Sequence, residues 1–176
     1  MANPLLRLVE IAQQEIGTRE GAQNNTGPQI AEYQSATWLT PAPWPWCAAF
    51  TSWVLREWLE EADSLAAMNF PNFQVAEKWR CKDASAFGWE KWARQKGLDV
   101  LTENDLAKAG DFVVFDFSHI GIVAKDQANP KDPIETIEGN TNGAGDRDST
   151  TGDGVWSKKR APSLVKCYIR LVTQPK

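Results

Sequence analysis

The chain has 176 residues, which is enough for one domain with a substantial hydrophobic core and short for two. Hydrophobic residues make up 42% of it and charged residues 24%, the composition of a globular protein rather than of a disordered chain. The formal net charge of −4 argues against a partner held mainly through phosphates, because nucleic-acid binding needs clustered Lys and Arg. We therefore predict a single domain over residues 1–176 with no nucleic-acid partner.

The sequence also carries no sign of membrane insertion. No stretch approaches the roughly 20 apolar residues that a membrane-spanning helix needs. Residues 1–17 lack the basic start and the apolar run of a signal peptide. These features predict synthesis in the cytoplasm, without a signal peptide.

Helical periodicity dominates the first half of the chain. The first predicted helix is amphipathic, and Gly17 follows it as a stop. A Pro-rich stretch then precedes a run with apolar residues at steps of three and four and no Gly or Pro, which predicts a central buried helix with Cys47 in its first turn. The predicted helical regions are residues 4–16, 29–36, 47–61, 71–79 and 84–97.

The second half of the chain changes to short segments rich in Val, Ile, Phe and Tyr, separated by Asn, Asp, Gly and Pro. Helices first and strands afterwards indicate the α+β class. The basic cluster at residues 157–160 is interpreted as a solvated strand end or turn. The five candidate strands of an antiparallel sheet are residues 111–117, 119–126, 133–140, 154–158 and 164–172.

Cys47 is the candidate nucleophile. The three cysteines form an odd set without a CxxC pair, so neither a disulfide framework nor a zinc site is indicated. Prolines at positions 41, 43 and 45 force an extended entry, so the helix begins near Cys47 and its sulfur lies beside unpaired backbone N–H groups. Such a position favours the thiolate and offers donors for an oxyanion.

His119 is the one histidine of the chain and opens a predicted strand, where an imidazole can face a cleft. A third group must orient that imidazole, and the next strand supplies Glu138 and Asn140. These two residues are two positions apart and share one face if the strand continues that far. Either of them is a candidate for the orienting group.

Each of these residues also has an interpretation without catalysis. A cysteine in a Trp-rich helix is often a small core residue, and a single histidine is often a satisfied structural one. Glu138 and Asn140 close to Gly143 also fit ordinary turn chemistry. The conjunction of the cysteine, the histidine and the acid with its neighbouring amide favours the catalytic interpretation.

Three segments together resemble the CHAP family of cysteine, histidine-dependent amidohydrolases and peptidases. They are "PWCAAFTSWVL", "GDFVVFDFSHIGIVAKD" and "IETIEGNTN", and the likeness also takes in "EIGTREGAQNNTGPQIAEY". The resemblance implies a papain-like α+β domain with the nucleophile at the N-terminus of a central helix. It also implies that Cys47 is the nucleophile, His119 the general base, Glu138 the orienting acid and Asn140 an additional polar group.

The resemblance further implies the substrate, since members of the family cut amide bonds in bacterial peptidoglycan. Some members carry an acidic calcium loop before the cysteine, but "SATWLTPAPWPW" contains no carboxylate. We therefore predict no metal site and no cofactor. A separate wall-binding domain has no space in the chain, so we expect a monomer that finds its substrate through its own groove.

Aromatic residues near the cysteine are candidates for substrate binding. Trp44 and Trp46 either stack on sugar or peptide groups or belong to the core, and Tyr33 or Gln29 is a candidate side-chain donor to the oxyanion. The later tryptophans are predicted to pack in the core, namely Trp53, Trp58, Trp79, Trp89 and Trp92.

The sequence therefore predicts a peptidoglycan hydrolase that cleaves an amide bond, either as an N-acetylmuramoyl-L-alanine amidase or as an endopeptidase. Two alternatives remain: a muramidase-like glycosidase, which needs a pair of carboxylates, and a non-catalytic module that binds cell wall or peptide. An endolysin, a secreted antibacterial toxin and a host wall enzyme would share these features. In each setting the protein would act at the cell wall or in the periplasm after release or export.

Overall fold

The computed structural model describes residues 3–144 and 151–171. The first half of this part of the chain is helical, as predicted, and the central helix begins at Cys47. A short helix that the sequence analysis missed follows it, because six residues show too little periodicity to be recognised. The helices are α1 (Pro4–Gln14), α2 (Pro28–Ser35), α3 (Cys47–Leu59), α4 (Ala62–Ala67), α5 (Phe73–Trp79) and α6 (Ala86–Gln95).

The second half forms an antiparallel sheet with the strand order β1-β6-β2-β3-β4-β5. The α+β class is confirmed, but the described residues form six strands where the sequence predicted five. The additional strand pairs with the last strand of the chain. It has only three residues, and a period of two cannot be recognised over so short a segment. Val172, in the last predicted strand, lies outside the described residues. The strands are β1 (Asp99–Leu101), β2 (Phe112–Phe115), β3 (His119–Val123), β4 (Ile134–Thr141), β5 (Gly154–Arg160) and β6 (Val165–Arg170).

The core lies mainly between the helices and one face of the sheet. Trp58 and Trp89 are fully buried there and Trp92 nearly so, while Trp53 and Trp79 are half-buried against it, which confirms the packing predicted for these five residues. A smaller apolar cluster covers the other face, so all four residues of β2 are buried. Within the described ranges, no helix is long and apolar enough to cross a membrane.

Helix α3 is the element that brings the two halves together. It is buried along most of its length and contacts both β3 and β4. The approach is closest at Gly139 of β4, where an added Cβ would lie 2.6 Å from Cβ of Phe50 and 2.8 Å from the indole of Trp46. The first turn of α3 therefore rests directly on the strand that carries Glu138 and Asn140.

We predict that Gly139→Ala lowers the free energy of unfolding by about 1–3 kcal/mol, because the added methyl group overpacks this contact. Chemical denaturation measures the change. Gly21→Ala is the matched control, since a Cβ there meets no atom closer than 3.5 Å. Equal stability of the two variants would contradict the close packing of α3 on β4.

Candidate active site

Cys47 lies at the first position of α3 and lines a cavity of about 720 Å³. Its side chain is nearly buried, and the backbone N–H groups of Ala48 and Ile120 donate towards its sulfur. The preceding residue, Trp46, has no side-chain acceptor that could cap the helix, and its indole N–H donates to Glu20. The unpaired backbone N–H groups at the start of α3 are therefore available to the sulfur and to a molecule bound in the cavity.

His119 opens β3, as predicted, and lies between Cys47 and Glu138. Its Nε2 is 2.8 Å from Oε2 of Glu138, which leaves Nδ1 for the sulfur. The imidazole is also stacked on Phe117, with ring centroids 5.7 Å apart and an angle of 9° between the planes. Both the position and the plane of the ring are thus held by neighbours.

Glu138 is fully buried and reaches His119 across β3. Gly121 makes this path possible, because a Cβ at that position would lie 2.6 Å from Cγ of Glu138. The sequence offers Glu138 and Asn140 as the orienting group. In the structure, the carboxylate of Glu138 contacts the imidazole. Asn140 lines the cavity instead.

The charges of this group support one another. Burial opposes ionisation of Cys47, but the charge of His119 and its hydrogen bond outweigh it and lower the pKa of the thiol. Burial likewise disfavours the imidazolium, yet the charge on Cys47 and the hydrogen bonds to Cys47 and Glu138 raise the pKa of His119. The structure therefore favours a thiolate–imidazolium pair, which is the nucleophilic state of a cysteine.

Backbone strain is concentrated around the same cavity. Among the described residues, four other than glycine have positive φ, and three of them, Asn25, Ser118 and Asn140, line the cavity with φ of 59°, 60° and 54°. Such conformations persist where the surrounding structure enforces them, typically at functional sites. Asn140 reaches the cavity through this strain and a bulge in the pairing of β4 with β5, so strand alternation does not explain its position.

Two of the predicted substrate-binding residues lie in the buried core. Trp46 is fully buried and stacks on Tyr33, with ring centroids 5.6 Å apart. Tyr33 is also fully buried, and its hydroxyl donates to Glu15 over 2.5 Å. Their polar atoms are bound within the fold, so neither side chain is available to a substrate.

The remaining two predicted residues differ in position. Trp44 is half-buried, lines the cavity and donates its indole N–H to the carbonyl of Thr40 over 3.0 Å. Gln29 interacts with the hydroxyl of Tyr33 and is not among the residues that line the cavity. Substrate binding by Trp44 stays a prediction.

Several residues of the site were missed in the sequence analysis. Some are loop residues, which only the fold brings to the cavity: Asn24, Asn25, Leu39, Asp83, Ser85, Phe117 and Ser118. Another is Arg160, in the basic cluster interpreted as solvated. The cluster alternates, with Lys158 and Arg160 buried and Lys159 exposed, so the interpretation is wrong for half of it. All three residues are basic, so the sequence itself shows no alternation that could have identified Arg160.

The described part of the chain contains no arrangement of side chains suited to a metal ion. Among residues 3–144 and 151–171, no group of three or more His, Cys, Asp or Glu side chains is arranged to hold a metal ion. The cavity wall before Cys47 is formed by Trp38, Leu39, Trp44 and Pro45, which provide no carboxylate. The prediction that the protein needs no metal remains a prediction.

The fold is that of a papain-like α+β domain, in which a cysteine at a buried helix N-terminus faces a histidine and a carboxylate on an antiparallel sheet. The family model of the CHAP domain matches residues 39–140, which is more than half of the chain. The chain therefore belongs to the CHAP family, whose members are typically cysteine- and histidine-dependent amidohydrolases or peptidases. No curated protein matches the chain.

We predict that iodoacetamide modifies Cys47 well before the other two cysteines of the folded protein. Burial raises the pKa of Cys81 to about 12 and that of Cys167 to about 11, whereas the pKa of Cys47 is lowered. Peptide mass spectrometry after timed labelling measures the order. Equal labelling of all three under native conditions would contradict the thiolate at Cys47.

Proposed function

We propose that this protein hydrolyses an amide bond of bacterial peptidoglycan, with Cys47 as the nucleophile. The observation that carries the proposal is the alignment of Cys47, His119 and Glu138 at a cavity in a chain of the CHAP family. Enzymes that act on amides need an activated nucleophile, a base that becomes an acid, and a group that holds the base. The three side chains are suited to these tasks in that order.

In this mechanism the thiolate of Cys47 attacks the amide carbon, and the carbonyl oxygen becomes an oxyanion. Backbone N–H groups at the start of α3 stabilise that oxyanion. The imidazolium of His119 gives its proton to the leaving amine, and a thioester to Cys47 remains. His119 then takes a proton from water, the resulting hydroxide attacks the thioester, and the carboxylic product leaves with the thiolate restored.

The walls of the cavity suit a peptide joined to a sugar. Trp38 is 68% exposed at its edge and Trp44 is half-buried within it, and both present aromatic surface of the kind that packs on sugar rings and peptide side chains. Asn24, Asn25 and Ser85 add polar groups. We propose peptidoglycan as the binding partner of a monomeric enzyme that reaches the wall after release or export. The amide that is cut is either the one on the lactyl group or one in the stem peptide or cross-bridge.

The two alternative functions have less support. A glycosidase needs two carboxylates facing each other across the sugar. Of the described residues that line the cavity, Asp83 is the one carboxylate, and its Oδ1 accepts bonds from the backbone N–H and the hydroxyl of Ser85. A module that only binds wall would have no need for the thiolate–imidazolium pair.

We expect Cys47→Ala and His119→Ala each to abolish release of peptides or new amino termini from purified sacculi. Mass spectrometry of the soluble products also identifies the bond that is cut, and a reducing-sugar assay detects glycosidase activity. Cys81→Ala is the matched control, because Cys81 is a buried cysteine away from the cavity. A wild-type rate for folded Cys47→Ala would refute the proposal.

We expect Glu138→Gln to reduce turnover by about 10- to 1000-fold, because it loses the charge that stabilises the imidazolium. Asn140→Ala should have a smaller effect, since Glu138 is the residue in contact with His119. The ratio kcat/KM of the two variants on one soluble wall fragment measures the difference. The reverse order of damage would assign the orienting role to Asn140.

For Trp44→Ala we expect a raised KM with little change in kcat, because the aromatic face contributes binding and takes no part in proton transfer. Initial rates over a range of fragment concentrations separate the two constants. Phe87→Ala is the control, because Phe87 is an exposed aromatic residue outside the cavity wall. Unchanged KM for Trp44→Ala would leave this residue without a part in substrate binding.

A further inference from the structure

Arg160 is a buried cation directly behind the carboxylate that holds His119. It is 3% exposed, lies at the end of β5, and is not among the residues that line the cavity. A buried guanidinium needs a partner of opposite charge, and Glu138 is fully buried as well.

The contact between the two side chains has two points. Nε of Arg160 donates to Oε1 of Glu138 over 2.9 Å, and Nη2 donates to Oε2 over 2.5 Å. Thr136 donates its hydroxyl to Oε1 over 2.6 Å, and Oε2 also lies 2.8 Å from Nε2 of His119. The carboxylate thus has four donors and no freedom to rotate away from the imidazole.

The same guanidinium lies against the aromatic rings that hold His119. Its Cζ is 5.4 Å from the ring centroid of Phe115 and 5.5 Å from that of Phe117. Both rings are stacked on the imidazole, at centroid distances of 6.0 Å and 5.7 Å. Arg160 therefore contacts both the carboxylate and the aromatic rings that fix the imidazole.

The buried charges balance only when Arg160 is counted. Thiolate, imidazolium, carboxylate and guanidinium alternate in sign from Cys47 to His119, Glu138 and Arg160, and their sum is zero. Without the guanidinium, the imidazolium and the carboxylate already neutralise each other, and a thiolate would add an uncompensated buried charge. Such a site reaches neutrality by keeping the proton on Cys47.

The other charged groups nearby do not replace Arg160. Lys158, on the same strand, donates its ammonium to the backbone carbonyls of Asn142 and Ala144. Asp83, across the cavity, carries a negative charge and would disfavour a thiolate. Arg160 is the described cation whose charge acts on Glu138 through direct hydrogen bonds, in addition to His119.

We propose that Arg160 is a positioning residue of this active site, which holds Glu138 against His119 and allows Cys47 to be a thiolate beside a buried carboxylate. The inference rests on the proposed role of Cys47 as the nucleophile. Its test measures the ionisation of Cys47 and not the hydrolysis of peptidoglycan. A failure of this proposal can therefore be distinguished from a failure of the proposed function.

The test is the rate of iodoacetamide alkylation of Cys47 between pH 4 and pH 9 in Arg160→Met and in the wild type, a range of about five units chosen to span the ionisation of a shifted thiol. Loss of the guanidinium makes the thiolate less favourable, so the acidic midpoint of the rate profile moves to higher pH. We expect a shift of about one unit or more, which is about a tenfold slower reaction below both midpoints.

Arg170→Met is the matched control. Arg170 also makes a two-point contact with a fully buried carboxylate of the same sheet, donating to Asp111 over 2.9 and 2.7 Å. This variant also loses a two-point ion pair to a buried carboxylate, but neither partner lines the cavity. Its alkylation midpoint should equal that of the wild type.

Two further variants separate charge from geometry and cover the case in which Arg160→Met does not fold. Arg160→Met combined with Glu138→Gln removes both charges, so its midpoint should return to that of the wild type. Arg160→Lys keeps the charge with a single point of contact. It should keep the midpoint while kcat falls, because the carboxylate is held less firmly.

The proposal is overturned if folded Arg160→Met keeps the wild-type midpoint, or if Arg170→Met moves it as far. If Arg160→Met does not fold, a midpoint of the double variant about one unit above the wild type overturns it, and a wild-type midpoint supports it. A normal alkylation profile in a protein inactive on sacculi would count against peptidoglycan hydrolysis alone.

Discussion

The contact between the first turn of α3 and strands β3 and β4 is the constraint on which the rest of the site depends. Cys47 comes from the helical half of the chain, and His119 and Glu138 from the sheet. They meet only because Gly139 lets the helix lie directly on β4, where any side chain would collide with Phe50. The same contact points the N-terminus of α3 into the cavity. One packing interaction therefore fixes the position of Cys47 and also places its sulfur at the positive end of the helix dipole.

Burial of charge is the second constraint. A thiolate, an imidazolium and a carboxylate with almost no access to water are stable only if each has a neighbour of opposite sign. The pKa of Glu138 falls to about 2 although burial opposes this, because Arg160 and His119 both donate to it. The sheet therefore contributes charge as well as a framework. Strand β5 carries Arg160, whose positive charge balances the carboxylate of Glu138.

Local strain and aromatic packing complete the arrangement. Ser118 precedes His119, Asn140 follows Glu138 by two residues, and both adopt left-handed conformations and line the cavity. Phe117 holds the imidazole plane from one side. These features are expensive for stability and are retained around one cavity, which is consistent with a site held rigidly for chemistry.

The sequence by itself determined the class of fold, the start of α3 at Cys47, the start of β3 at His119 and the family, because prolines, periodicity and motif spacing act locally along the chain. It did not determine which tryptophan faces the cavity: Trp44 does, whereas Trp46, two residues on, is buried on Tyr33. It did not reveal that Arg160 lies behind Glu138, 22 residues away along the chain. Tertiary structure decided these points, because burial and charge pairing depend on which strands become neighbours, and no local pattern encodes that.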